Sequence, residues 1–330
     1  MSSELASRPD AVSAAPPVSA PGGFTLRAVW LRLVVFLIPA VLVVCVPVYL
    51  VDPFGLFARA SIVPDLVRVE SATRVNQALL RIVSFTKAPT PNILLGDSQM
   101  AHFDVREIEA ITHRPFSNLA YGGGTLAESI ASFWYATRTV RLERVYFGMS
   151  FYSFIDNTRN RVSAAERLVK NPLASFTSGD VLEAASDDIL AQFLHHTVNY
   201  LPGVETATFW PQQLGELKRR RDSFPPSAST LAEIAAIERY CAAQGIAFAF
   251  VIPPQHEDVR RRIVELGMRQ QYADFKSSVT ALGRTYDCDV SNEFTRDADN
   301  FRDPFHMTPF ASELIAQSIW STQHVLCEVH

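Results

Sequence analysis

Nineteen consecutive uncharged and mostly apolar residues, Leu33 to Val51 (LVVFLIPAVLVVCVPVYLV), restrict this chain more than any other stretch. A helix of about 20 apolar residues is what a bilayer core requires, because its backbone polar groups are then satisfied within the segment. Trp30 and Tyr49 lie near its ends, where amphipathic aromatics favour the interface. Pro39 and Pro47 are tolerated in a spanning helix. Arg27 and Arg32 precede the run and Asp52 follows it. The positive-inside rule then sets the N-terminus in the cytoplasm, with Arg59 a modest counterweight. We therefore expect a transmembrane helix over 27–52, lipid-exposed through 33–51, with the main domain periplasmic or extracellular. A cleaved signal peptide is the alternative, since Ala58-Arg59-Ala60 resembles a cleavage site. The length of the run and the intervening Asp52-Pro53-Phe54-Gly55 favour an uncleaved anchor.

Residues 1–26 are rich in Ser, Ala and Pro, with almost no large apolar side chain before Phe24. Such a segment cannot bury enough apolar surface to order itself and reads as a disordered cytoplasmic tail. Residues 53–90 read as a juxtamembrane connector, helical around 69–83. The net charge of −4 argues against a nucleic-acid binder. Cys45, Cys241, Cys288 and Cys327 are too widely spaced for a zinc site or a disulfide framework. They are read as buried free thiols, with a Cys241–Cys288 disulfide as the alternative in an oxidising compartment.

From Asn92 onward, strand and helix signals alternate. Asn92-Ile93-Leu94-Leu95-Gly96 is a buried-strand run. Asp104 and Glu107 open a helix with Val105, Ile108 and Ile111 at helical spacing. Phe116 to Ala120 reads as a second strand. Thr125 with Glu128 forms a capping box for a helix whose apolar face carries Leu126, Ile130, Phe133 and Trp134. Arg144 to Met149 is a third strand. Residues 155–230 break the rhythm and read as a mostly helical insertion. A helix near 228–244 leads into the strand Ile246–Ile252, which Pro253-Pro254 stops. One long helix is expected over 255–283, then a last strand at 285–290. Thr308 and Pro309 start the final helix, with Phe310, Leu314, Ile315 and Ile319 expected on its inner side. Alternating strands and helices imply an α/β fold of three layers (α/β/α), with a parallel, flavodoxin-like sheet over 91–330. Its site would lie beyond the carboxyl ends of the strands.

Two short motifs meet that expectation. Gly96-Asp97-Ser98 ends the first strand, and Asp303-Pro304-Phe305-His306 precedes the last helix. Ser98 is the candidate nucleophile, His306 the general base, and Asp303 the carboxylate that orients it. The N–H of Gln99 and the glycines at 122–124, Gly122 and Gly123 among them, are candidate oxyanion donors. For each residue a bland reading stands beside the chemical one: a helix-capping serine, a local His–Asp contact, a tight glycine turn.

These motifs resemble the SGNH/GDSL hydrolase superfamily over about 90–325. The resemblance assigns Gly96-Asp97-Ser98 to the first block, one of Gly122 to Gly124 to the second, and Asp303 with His306 to the last. The third block departs from the pattern. Where the family carries Gly-x-Asn-Asp, this chain reads Gly148-Met149-Ser150-Phe151, leaving Ser150 as a shorter candidate donor. The layout is similar to membrane-anchored envelope proteins that act in polysaccharide O-acetylation or teichoic acid D-alanylation. It implies a serine esterase or O-acyltransferase of the bacterial inner membrane, with a glycan substrate and a membrane-bound acyltransferase as partners. The alternative is a non-catalytic envelope component with the same fold.

Other features carry less. Lys218-Arg219-Arg220-Arg221 reads as a solvated helix face or a contact for anionic polysaccharide or lipid headgroups. His195-His196 and His256-Glu257-Asp258 invite a metal reading, which we reject because adjacent histidines on a helix point apart and no third ligand is evident. No cofactor is called for. Phe151, Tyr152 and Phe154 read as packing or as the lining of an acyl or sugar pocket.

Overall fold

Asn92 to Leu95 is a four-residue strand buried along its whole length, and the site is built outward from its end. The computed structural model describes residues 25–57, 60–155, 157–194, 206–220 and 223–330. Residues 1–24 of the expected tail, Ala58-Arg59 of the cleavage-like motif, His195-His196, the Pro202-Gly203 loop and Arg221 lie outside the described residues.

The strands are β1 (Asn92–Leu95), β2 (Phe116–Asn118), β3 (Arg144–Gly148), β4 (Ala247–Ile252), β5 (Thr285–Asp287), β6 (Phe301–Asp303), β7 (His306–Met307) and β8 (Glu328–Val329). The helices are α1 (Leu26–Val51), α2 (Asp65–Lys87), α3 (Ser98–Ala101), α4 (Val105–Thr112), α5 (Leu126–Thr139), α6 (Arg161–Lys170), α7 (Gly179–Leu194), α8 (Thr206–Arg220), α9 (Ala228–Gln244), α10 (Glu257–Glu265), α11 (Arg269–Leu282), α12 (Glu293–Arg296) and α13 (Pro309–Trp320).

The chain divides into two compact units between Val46 and Pro47. Helix α1 is long and apolar enough to cross a membrane, with a mean hydropathy of 2.9 over its most apolar window. The second unit starts before the expected connector. Phe54 and Val63 are buried, and α2 contributes Leu79, Ile82, Val83 and Phe85 to the core. Phe54, Val63 and helix α2 of the expected connector thus belong to the core of this unit, and α2 runs beyond the 69–83 expected.

The central sheet has the order β2-β1-β3-β4-β5-β8, with its first five strands parallel and β8 antiparallel at the edge. Helices cover both faces, and the strand side chains alternate between them. Ile93, Leu95, Val145, Phe147, Phe250 and Ile252 enter one core with α2, α5, α9 and α11. Leu94, Phe116, Ala249, Val251 and Tyr286 enter the other with α4 and α13. The order 2-1-3-4-5 puts a topological switch point between β1 and β3, where doubly wound sheets open a crevice at their carboxyl edge.

Four expectations are corrected. The single helix over 255–283 is two, α10 and α11, separated at Gly267, whose φ of +71° a helix cannot contain. Phe310 and Leu314 are exposed, whereas Ala311, Ile315, Ala316 and Ile319 form the buried face of α13. The strand expected at 285–290 is present as β5 over Thr285–Asp287, but it is not the last, because β8 returns antiparallel to it and pairs Val329 with Tyr286. Cys288 is bonded to Cys327, immediately beside that strand pair, and Cys241 is a buried free thiol. Wide sequence spacing concealed a pair that the β5–β8 ladder makes adjacent.

Candidate active site

Gly96 turns the chain at the end of β1 with φ +143°, a region that side chains rarely enter. A Cβ there would meet Met100 Cγ at 2.7 Å and Gly148 Cα at 3.3 Å. At Gly148 a Cβ would fall 2.0 Å from the same Met100 Cγ. The buried Met100 side chain therefore fills the space where β1 and β3 end, and both strands must end in glycine. Gly124 is equally confined, since its Cβ would lie 2.7 Å from Gly96 O and 3.2 Å from Asp97 Cα. This brings the triple glycine against the turn that carries the serine.

Asp97 is the N-cap of α3 and accepts from Gln99 N at 3.0 Å. Ser98 is the first helical residue and is partly exposed. On the other side, Asp303 and His306 pair across the β6–β7 hairpin. His256 N donates to Pro304 O at 2.9 Å, tying the turn of this hairpin to the chain after β4.

The structure brings Ser98, His306 and Asp303 together. His306 Nε2 is 2.7 Å from Ser98 Oγ. His306 Nδ1 is 2.7 Å from Asp303 Oδ2 and 2.9 Å from Oδ1. With the proton on Nδ1 donated to Asp303, Nε2 presents its lone pair to the serine hydroxyl. Asp303 also accepts from the N–H groups of Phe305 and His306, at 2.9 and 3.2 Å. Burial alone would raise its pKa, but the His306 hydrogen bond and charge, aided by these N–H groups, hold it below the usual carboxylate value. Asp303 thus stays ionised, as a group that fixes the imidazole tautomer must.

The candidate oxyanion donors fare differently. Gln99 N–H is taken up by Asp97, and the Ser150 hydroxyl donates to Asp97 Oδ2 at 2.6 Å. Ser150 is fully buried and caps the short turn Phe151–Ser153. Gly122 N–H donates to Gln77 Oε1 at 2.8 Å. Among the described residues, Gly123 N–H is the donor of this set without an internal acceptor, and the N–H of Ser98 itself has none either. Phe151 and Phe154 are buried in packing with Phe224 and Phe275, and the half-exposed Tyr152 lies against Phe305.

The glycine loop is held by the insertion. Arg161 binds the fully buried Glu128 through Nε at 2.8 Å and Nη2 at 3.1 Å, and reaches Gly122 O and Gly123 O at 3.3 Å. Arg159 also donates to Gly123 O. Glu128 is held below its usual pKa because these contacts outweigh its burial.

Sequence reasoning missed several residues. Asp97 was read only as a motif letter, although a buried carboxylate before the nucleophile needs partners. His102 and Arg302 flank the triad: the His102 ring lies 5.2 Å from the His306 ring, and Arg302 Nη2 is 2.9 Å from His102 Nδ1. The signal for His102 was its place one helical turn after Ser98. No group of three His, Cys, Asp or Glu side chains among the described residues is arranged to hold a metal. Compared with known proteins, the chain matches no family model and no curated sequence.

Proposed function

We propose that this chain is a membrane-anchored serine acyl-transfer enzyme, an SGNH-like esterase or O-acyltransferase that acts on envelope glycan outside the cytoplasm. The observation that carries this reading is the continuous Ser98–His306–Asp303 hydrogen-bond chain. His306 Nε2 takes the Ser98 hydroxyl proton as Oγ bonds to the ester carbonyl carbon. Ser98 N–H and Gly123 N–H are the donors left for the developing oxyanion. As the tetrahedral species collapses, the bond to the leaving oxygen breaks and His306 returns the proton to it. The acyl group now sits on Ser98. Water or a sugar hydroxyl then attacks, gives its proton to His306, and releases Ser98 with its proton restored. Water as acceptor makes an esterase and a sugar hydroxyl makes a transferase.

The location rests on two observations. Helix α1 is long and apolar enough to cross a membrane, and Arg27 and Arg32 ahead of its apolar run support a cytoplasmic N-terminus. The Cys288–Cys327 disulfide suits a periplasmic or extracellular domain, because cytosolic thiols are kept reduced. A membrane-bound acyltransferase would supply the acyl group in the transferase case.

The test is labelling of the full-length protein by a fluorophosphonate, compared with Ser98→Ala and His306→Ala. Labelling of the unaltered protein alone supports the enzyme. A second reading, a non-catalytic glycan-binding component, is favoured by the commitment of the Ser150 hydroxyl to Asp97. It takes over if the folded, unaltered protein is not labelled.

A further inference from the structure

Arg302 occupies the strand position just before Asp303, and no carboxylate among the described residues pairs with it. Its head is nevertheless held at two points. Nε donates to Met307 O across the hairpin at 3.2 Å. Nη2 lies 2.9 Å from His102 Nδ1 and 3.1 Å from Nε2, one of which is the acceptor of a neutral imidazole. The His102 ring in turn stands edge-on to the His306 ring, at an interplanar angle of 80°. Both Arg302 and His102 are solvent-exposed. Nη1 makes no hydrogen bond among the described residues.

A solvated surface arginine is the ordinary explanation for an exposed guanidinium. Two features argue against it here. An arginine that serves only solubility has no need of a backbone carbonyl and an imidazole to fix its head. Nor does that explain an imidazole set 2.9 Å from the guanidinium, close enough to accept from it through one ring nitrogen. A pre-positioned guanidinium with unpaired N–H groups is the usual means of gripping a carboxylate or phosphate, since little further ordering is needed on binding.

We propose that Arg302, held by His102, receives an anionic group, carboxylate or phosphate, on the molecule whose ester or hydroxyl reacts at Ser98. The proposal rests on the acyl-transfer reading and names the substrate class as anionic. Arg302 is a specificity residue in this account, and His102 positions it.

The test compares three aryl acetates on the full-length protein: neutral phenyl acetate, 4-acetoxybenzoate and 4-acetoxyphenyl phosphate. The carboxylate and phosphate arms distinguish the two sources of charge. The unaltered protein should favour at least one anionic ester by kcat/KM. Arg302→Gln should lower the anionic-to-neutral ratio about tenfold or more, chiefly through KM. Arg302→Lys should restore part of the preference, and Arg141→Gln, an equal charge change at an exposed position before β3, should leave the ratio as it is. An unchanged ratio in Arg302→Gln, or an equal fall in Arg141→Gln, overturns the proposal. If no ester is turned over, binding of 4-acetoxybenzoate and 4-acetoxyphenyl phosphate is followed by ligand-observed NMR. Binding weakened by Arg302→Gln then upholds the anion site while the acyl-transfer reading fails. Absent or unaltered binding overturns the anion site.

Discussion

The Ser150 hydroxyl donates to Asp97 Oδ2 across 2.6 Å, joining the chain after β3 to the residue before Ser98, the proposed nucleophile. Asp97 spends its other oxygen on Gln99 N–H, so this one carboxylate sets the turn that presents Ser98. Removing the Ser150 hydroxyl leaves a buried carboxylate oxygen unpaired, at a cost of about 1–3 kcal/mol. Ser150→Ala should therefore lower the melting temperature by several degrees while reducing kcat less than about tenfold. An oxyanion donor would behave the other way. A loss of about 10²–10³ in kcat with an unchanged melting temperature would show that Ser150 reaches the reacting carbonyl after all.

Asp303→Asn retains the shape of the carboxylate but can accept from His306 on one atom only, and it offers an N–H that competes for the wrong tautomer. Activity of this variant should fall on the order of 10⁴-fold with the fold intact. The same residue predicts an acid limb in stability. The pKa of Asp303 is lower in the folded state than in the unfolded one. Its contribution is therefore fully present above the unfolded value, about 3.9, and is lost as pH falls through the folded value. Thermal melts between pH 5 and pH 2 should converge for the unaltered protein and Asp303→Asn as acidity rises. A gap that stays constant would refute the linkage.

Much of the sheet was legible because its strands β1 and β4 are mainly apolar runs bounded by Gly or Pro. Thr125 with Glu128, and Thr308 with Pro309, announced two helices by capping chemistry that operates within four residues. The triad was legible as a set for the same reason, since each motif sits directly after or before such an element. What escaped depends on distant partners. The hairpin strands β6 and β7 are three and two residues long, too short to show alternation. β8 has two exposed residues that form a strand only because β5 is there to pair with. Gln99 and Ser150 were of the right type for oxyanion donors, but Asp97 competes for both, and competition for one acceptor cannot be read from spacing.

The Cys288–Cys327 bond closes a segment of 39 residues that contains the Asp303–His306 hairpin and α13. Constraining a loop of that length in the unfolded chain is worth about 4 kcal/mol in the chain-entropy estimate. Cys327→Ala should lower the melting temperature markedly, and reductant should do the same to the unaltered protein with no further effect on the variant. Thiol titration of the denatured, unreduced protein should find the two thiols of Cys45 and Cys241, rising after reduction. Four thiols before reduction would exclude the bond and remove its support for an oxidising compartment.

Asp188 offers a pH test remote from the triad. It lies buried between α7 and α2, with Oδ1 bonded to Ser71 Oγ and Oδ2 without a partner. Burial pushes its pKa up to about 6, against the smaller lowering effects of Ser71 and the Arg68 charge. The folded state then holds a proton that the unfolded state, near 3.9, has released. Between those values the native protein binds more protons, so stability declines as pH rises and is least above pH 6. Asp188→Asn removes the charge and should raise the melting temperature at pH 7.5, with the advantage shrinking to nothing near pH 4. The slope between pH 4 and pH 6 should flatten in the variant. A lower melting temperature for Asp188→Asn at pH 7.5 would mean that the ionised carboxylate is paired and stabilising in the fold, contrary to the geometry of its second oxygen.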